Sequence, residues 1–289
     1  MTDEQAAALA EQQARYPRGP VTPDMLAEEL RALGVAPGML LMVHCSLRAL
    51  GWVPGGPVAV YQALARAANC DGADAAAPRG TLLMPAFDSD NSEPAYWRQP
   101  PCDPQWWPVL RAARPGFDPA TTPSIRMGAL AEYFRTLPGT RRSNHPHVSW
   151  CGRGPLAAAL LEGCPLDYAL GEDSPLGRTY AHDGWVLGLG TLRTTVLHLA
   201  EHRCAWRGKA VQRQGGALMV DGTRQWVEYD MLSDDNDDFE ALRQDYLRGH
   251  AGQRGIDWQA GPCGYGSARL LRVRPLVDYA APWLAAHRV

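Results

Sequence analysis

Asp183-Gly184-Trp185-Val186-Leu187-Gly188-Leu189-Gly190 runs, after a short connection, into Thr195-Val196-Leu197-His198-Leu199-Ala200-Glu201-His202. The first part predicts a buried strand, Val186 to Leu189, because a short apolar run is bounded by turn signals. Gly188 and Gly190 permit a turn or a close passage of backbone where a side chain would obstruct. The second part is compatible with a helix. On that helix His198 and Glu201, three residues apart, share a face, and His202 lies four residues from His198. An imidazole with a carboxylate in reach is a general base with its orienting partner, so the chemistry is expected here.

The same five residues also fit H-x-x-E-H, the inverted zinc-protease pattern. That reading needs a third protein ligand to complete a zinc site. A helix whose histidines merely neighbour the core is the bland alternative.

Outward from this stretch the chain alternates strands and helices. Residues 1–15 predict a peripheral helix, bounded by position 20. Thr22-Pro23-Asp24 starts another, with threonine as N-cap and proline at the first helical position. Met39–Val43 and Gly80–Pro85 are apolar runs of buried-strand type, with a helix near 57–69 between them. Strand, helix, strand at this spacing is a βαβ unit with parallel pairing. Residues 85–123, rich in Pro, Trp and Asp, lack periodicity, and a segment so long without elements is usually functional. Trp97, Trp106 and Trp107 predict that it is packed. Helical spacing returns from Ser124 through Met127, Leu130, Ala131 and Phe134. A polar loop at 141–154 has a strand-like centre near Val148–Trp150, and a helix follows at about 155–163. Asp221-Gly222, between Val211–Val220 and Gln225–Tyr229, signals a β-hairpin. Leu270–Val273 predicts a strand, and Pro275–His287 a closing helix. The expectation is a single-domain α/β fold: a mixed, mostly parallel central sheet flanked by helices, with a β-hairpin in the C-terminal third.

The 289 residues are 46% hydrophobic and 20% charged, an ordinary globular composition. A net charge of −3 gives no reason to expect nucleic acid as a partner. No apolar run nears the ~20 residues that span a bilayer, and the polar, acidic start predicts no secretion signal. Seven cysteines without a C-x-x-C pair predict reduced thiols in a cytoplasm rather than disulfides or structural zinc.

Several motifs in order resemble the aminoglycoside 3-N-acetyltransferase family over most of the chain. They are Val43-His44-Cys45-Ser46-Leu47, Asp90-Asn91-Ser92-Glu93-Pro94, Phe117-Asp118-Pro119 with Thr122-Pro123, Met127-Gly128, Arg142-Ser143-Asn144-His145-Pro146 with Ser149, Ser174-Pro175, and Thr195-x-x-His198-x-x-Glu201. The resemblance implies one acetyltransferase domain over residues 1–289, moving an acetyl group from acetyl-CoA to an amine of an aminoglycoside or another polyamine. It implies no metal, and the state expected is monomer or homodimer. The chain departs from the family pattern at Cys45, where serine is usual, and at Gly152, where alanine is common. A thiol is the weaker hydrogen-bond donor.

Amide formation needs an unprotonated amine, so a base near neutrality is required. His198 takes that role, with Glu201 holding its ring. His44, at the carboxyl end of a strand, is the second catalytic candidate. Charge on the thioester oxygen calls for donors from Thr195, Ser46 or backbone near Cys45. Predicted helix starts at Ser46-Leu47 and at Ser124 to Gly128, including Arg126 and Met127, offer N–H groups to CoA, with Arg141 and Arg142 as nearby charges. A cationic substrate calls for carboxylates. Asp88, Asp90, Glu93, Glu172 and Asp173 lie in loops, and Glu228, Asp230, Asp234, Asp235, Asp237, Asp238 and Glu240 form an acidic run. A zinc hydrolase, a thiol enzyme built on Cys45 and His44, and a non-catalytic binder of cationic small molecules are the competing readings.

Overall fold

The computed structural model describes residues 1–233 and 235–288. Its first helices are α1 (Asp3–Arg15) and α2 (Pro23–Ala32). The βαβ unit follows as β1 (Leu40–Cys45), α3 (Pro57–Ala68) and β2 (Thr81–Pro85). Next come α4 (Trp107–Ala113), α5 (Ala129–Thr136), β3 (Arg141–Arg142), β4 (Trp150–Arg153), α6 (Ala157–Leu161) and α7 (Pro175–Ala181). The remainder is β5 (Trp185–Leu189), α8 (Leu197–Arg203), β6 (Val211–Val220), β7 (Thr223–Leu232), α9 (Phe239–Gly249), β8 (Trp258–Cys263), β9 (Gly266–Arg272) and α10 (Val273–His287).

Seven strands form one sheet in the order β3-β4-β2-β1-β5-β9-β8. β1 runs parallel to both β2 and β5, while β4, β3, β9 and β8 add antiparallel flanks. Alternation along β1 divides the core. Leu41 and Val43 face the layer containing α2, α3 and α5, whereas Leu40 and Met42 face the layer containing α8, α9 and α10. With helices on both faces, the middle strands are apolar throughout, as their sequence predicts.

Local chemistry explains the boundaries. The Thr22 side chain accepts from the Met25 N–H, and Pro23 fills the first turn of α2. α1 buries none of its residues, consistent with a peripheral helix. β6 and β7 form a separate two-stranded ribbon, turned by Asp221 (φ 48°) and Gly222 (φ 75°). Both turn residues have positive φ, the geometry that an Asp-Gly pair supplies to a two-residue hairpin.

Three expectations are corrected. Helical structure does not begin at Ser124 but at Ala129, because Gly128 (φ 90°) and Arg126 (φ 63°) hold the preceding chain in a non-helical path. The Pro- and Trp-rich segment contains α4, and it does not bury all its tryptophans, since Trp106 is 60% exposed. A third concerns the acidic run, which spans two elements, with Glu228 and Asp230 in β7 and Glu240 in the first turn of α9. Asp234 falls outside the described residues.

Candidate active site

A cavity of about 650 Å³ lies at the carboxyl ends of β1 and β5. In an open α/β sheet this is where ligands bind, because strand ends and the loops after them converge there. Pairing of His44 with Gly188 and Cys45 with Leu189 sets the two strand ends side by side. Gly190 (φ 62°) then turns the chain so tightly that a Cβ there would lie 2.6 Å from the Ala49 Cβ. The connection from Thr191 to Val196 delivers α8 to the cavity wall. His44, Ser46, Leu47, Arg126, Met127, Gly128, Thr195 and His198 all line the space, so the structure brings together eight of the expected residues. Ser124 is outside the lining. Its N–H and Oγ both donate to Glu132 Oε2, at 2.7 Å each, and serve the first turn of α5.

His198 and Glu201 meet as their helical spacing predicts, with His198 Nδ1 2.5 Å from Glu201 Oε2. Both are buried, at 7% and 1% exposure. Glu201 Oε1 accepts from Arg288 Nη1 at 2.5 Å and from the Asp235 N–H at 3.2 Å. The Phe239 ring lies 4.9 Å from the His198 ring and fixes its orientation from the α9 side. With Nδ1–H donated to the carboxylate, Nε2 carries the lone pair that can accept a proton.

His44 is buried, and burial, aided by the Arg193 charge, lowers its pKa to about 4. It is therefore neutral at pH 7. Its Nε2 has no hydrogen-bond partner among the described residues. Cys45 is pushed up to about 12 by burial, which leaves a thiol and no nucleophilic thiolate, so the thiol-enzyme reading loses its reagent. The Ser46 N–H is committed to the Leu189 carbonyl at 2.8 Å and is not a donor for a substrate oxygen.

Glu201 spends one oxygen on His198 and the other on Arg288, while the His202 ring lies edge-on to Tyr168 with centroids 6.0 Å apart. Among the described residues no group of three His, Cys, Asp or Glu converges as a metal site.

Among the described residues, none of the carboxylates expected to meet the substrate lines the cavity. Asp88 is 1% exposed and bonded by Arg114, and Glu93 is 8% exposed and held by two bonds from Arg111. For these two the expectation is corrected: each is an internal counter-ion. Glu172 is paired with Arg203, and both Glu228 and Asp230 with Arg213, at the surface. Asp90 lies next to Ser89, which lines the cavity, and 3.9 Å from Arg126. Asp173 is exposed. Arg141 pairs with Glu162, while Arg142 reaches the carbonyls of Thr122 and Ala86 and the Ser149 hydroxyl. Neither arginine lines the cavity.

Sequence reasoning missed Arg48, Arg193, His147, Asn236 and Met231 in the lining, and Arg288 behind Glu201. The pattern around Arg193 could have been noticed, since it sits in the connection the opening stretch defines. Arg288 carries no local signal, being 87 residues from Glu201.

The family described as aminoglycoside 3-N-acetyltransferase matches residues 42–285. The SPbeta prophage-derived aminoglycoside N(3')-acetyltransferase-like protein YokD of Bacillus subtilis (strain 168) is 36% identical over 267 residues, 91% of this chain and 92% of that protein. Its crystal structure matches with a TM-score of 0.84 at 34% identity, covering 93% and 95% of the two chains. Aminoglycoside N(3)-acetyltransferase III of Pseudomonas aeruginosa is 36% identical over 278 residues, 92% of this chain and 94% of that one. The binary complex of AAC-IIIb with CoASH matches with a TM-score of 0.78 at 28% identity, over 93% and 98% of the chains.

Proposed function

Because the chain belongs to the aminoglycoside 3-N-acetyltransferase family, we propose that it transfers the acetyl group of acetyl-CoA to the 3-amino group of an aminoglycoside, with His198 as general base. The observation that carries the reading is the buried His198–Glu201 pair on the wall of a cavity that also holds a neutral histidine. His198 Nε2 takes the proton of the attacking amine as its nitrogen bonds to the thioester carbonyl carbon. Glu201 stabilises the imidazolium so formed. Collapse of the tetrahedral intermediate breaks the carbon–sulfur bond, and His198 returns the proton to the departing thiolate. The products are the amide and CoASH.

The thioester oxygen becomes negative on the way, and a donor in a water-poor site stabilises it. His44 suits this part, because its neutral ring can carry the hydrogen on Nε2, which lacks a partner among the described residues and can donate to the oxygen. The Thr195 side chain is the second candidate, since it also lines the cavity. Arg48, Arg126 and Arg193 in the lining, which among the described residues includes no carboxylate, support an anionic cosubstrate there. Asp90, Glu172, Asp173, Glu228 and Asp230 remain as the carboxylates that would attract a polyamine at the rim.

The test is CoA thiol release from acetyl-CoA with a panel of aminoglycosides, for wild type, His198→Ala and Glu201→Ala. Amine-dependent release is expected, with kcat falling roughly 100- to 10,000-fold for His198→Ala and nearly as far for Glu201→Ala, at unchanged KM. Wild-type kinetics in either variant would remove that residue from the mechanism.

A further inference from the structure

Glu201 is 1% exposed, and a carboxylate so deep is costly unless its charge is matched and its oxygens are occupied. Oε2 serves His198; Oε1 needs its own donors, and the strongest is Arg288 Nη1. Arg288 is held as firmly as the group it holds. Its Nε and Nη2 grip Asp238 at 2.8 and 2.7 Å, and Nη2 also donates to the Asp235 carbonyl at 2.6 Å. The guanidinium sits 5.0 Å from the Trp206 ring centre and 5.8 Å from that of Phe239, the ring that also packs on His198. All three guanidinium nitrogens are thus committed, in a fork that lysine could not reproduce.

We propose that Arg288 is a positioning residue for acetyl transfer: it locks the Glu201 carboxylate in the plane that His198 requires. The inference rests on His198 as the base. Around the pair, among the described residues, stand His202 and Cys204 from α8 and its end, Lys209 with Nζ on the Glu201 backbone carbonyl, Asp235 and Asp238 ahead of α9, and Arg288 beyond α10. His44 and Arg193 face the same cavity as His198. Arg288 is the one side-chain cation among them bonded to the Glu201 carboxylate. A carboxylate freed to rotate would no longer present an oxygen to Nδ1 at bonding distance, and misplacement on the scale of an ångström is costly to catalysis.

Arg288→Met keeps the stem and removes the fork. Its kcat should fall about 10- to 100-fold with both KM values within about twofold of wild type. The acidic limb of its pH–rate profile should move to higher pH, because the lost positive charge no longer opposes protonation of His198. Arg288→Lys should restore the limb but not kcat. In a Glu201→Gln background, Arg288→Met should have no further effect on kcat. Wild-type kcat in Arg288→Met, a kcat loss with an unmoved limb, or a full additional loss in the Glu201→Gln background would each overturn the proposal. Should Arg288→Met fail to fold, Arg288→Lys carries the test, since wild-type kcat there would refute the fork. Glu201→Gln with wild-type turnover would instead sink the His198–Glu201 reading itself, and this inference with it.

Discussion

His145 accepts two backbone N–H groups at Nδ1, from His147 at 3.1 Å and Val148 at 3.0 Å, while Nε2 lies 3.2 Å from the Leu166 carbonyl. This pattern requires the neutral tautomer with hydrogen on Nε2. Burial and the neighbouring His147 lower its pKa to about 3, and burial lowers that of His44 to about 4. Both folded-state values lie below the 6.5 of an exposed imidazole, so the unfolded chain binds protons first. The stability these neutral side chains give is present above pH 6.5 and is lost as pH falls toward 4 and then 3. By pH 5 the loss should reach about 2 kcal/mol for each histidine. Urea unfolding at pH 7 and pH 5 measures it, and His145→Gln should flatten the difference while lowering stability at pH 7. An unchanged midpoint between the two pH values would show that neither imidazole resists protonation. The window also separates the histidines from Glu132, whose pKa of about 2 makes its ionised form matter below pH 4.5. At this scale the His198–Glu201 pair was legible because helical spacing brings i and i+3 together. Arg288 was not, because nothing local links residues that tertiary folding alone unites.

Asn91 joins two elements by imitating a strand. Its Nδ2 donates to the Ala217 carbonyl at 2.9 Å and its Oδ1 accepts the Ala217 N–H at 2.8 Å, so β6 finds a partner where no strand lies. Phe117 extends the seam, donating to the Ala217 carbonyl at 2.8 Å and accepting from Met219 at 3.1 Å. Asn91→Ala would leave a buried N–H without its acceptor. It should cost about 1–3 kcal/mol, read from urea midpoints, with kcat less affected than stability. Asn91→Asp should recover part of this through its retained acceptor, and equal losses for both would discount the hydrogen-bond account. The motif around Asn91 therefore does structural work, as does the one around Arg142, whose guanidinium lies 4.7 Å from the Phe117 ring centre. Elements with strong periodicity or caps, such as α2, β1, β5 and the hairpin, were legible beforehand. Helix α9 was hidden behind its acidic approach, and β8 by Gly261 and Pro262, which weaken any strand pattern. The span from Ser124 to Gly128 has helical spacing, but glycine in a left-handed conformation stops the helix short of it.

Across the whole molecule charge is distributed against its net sign. A chain of −3 carries its acids, among the described residues, outside the cavity lining or against arginines, while Arg48, Arg126 and Arg193 line the interior. Composition could not reveal this, since it depends on which loops converge at the ends of β1 and β5. Three arginines in the lining favour the concentration of an anion there. The phosphates of the proposed cosubstrate fit that sign better than a polyamine does. Screening follows from the same picture, because the Debye length falls from about 10 Å at 0.1 M salt to about 3 Å at 1 M. KM for acetyl-CoA should therefore rise several-fold between low and high salt while kcat changes little. The double variant Arg48→Gln, Arg126→Gln should start with a raised KM and respond less to salt, the mark of a lost electrostatic contribution to binding. The rim carboxylates make the complementary prediction, that Asp90→Asn raises KM for the amine and leaves that for acetyl-CoA unchanged. If instead the arginine variant altered only the amine KM, the cavity would belong to the acceptor, and the cosubstrate would have to enter elsewhere.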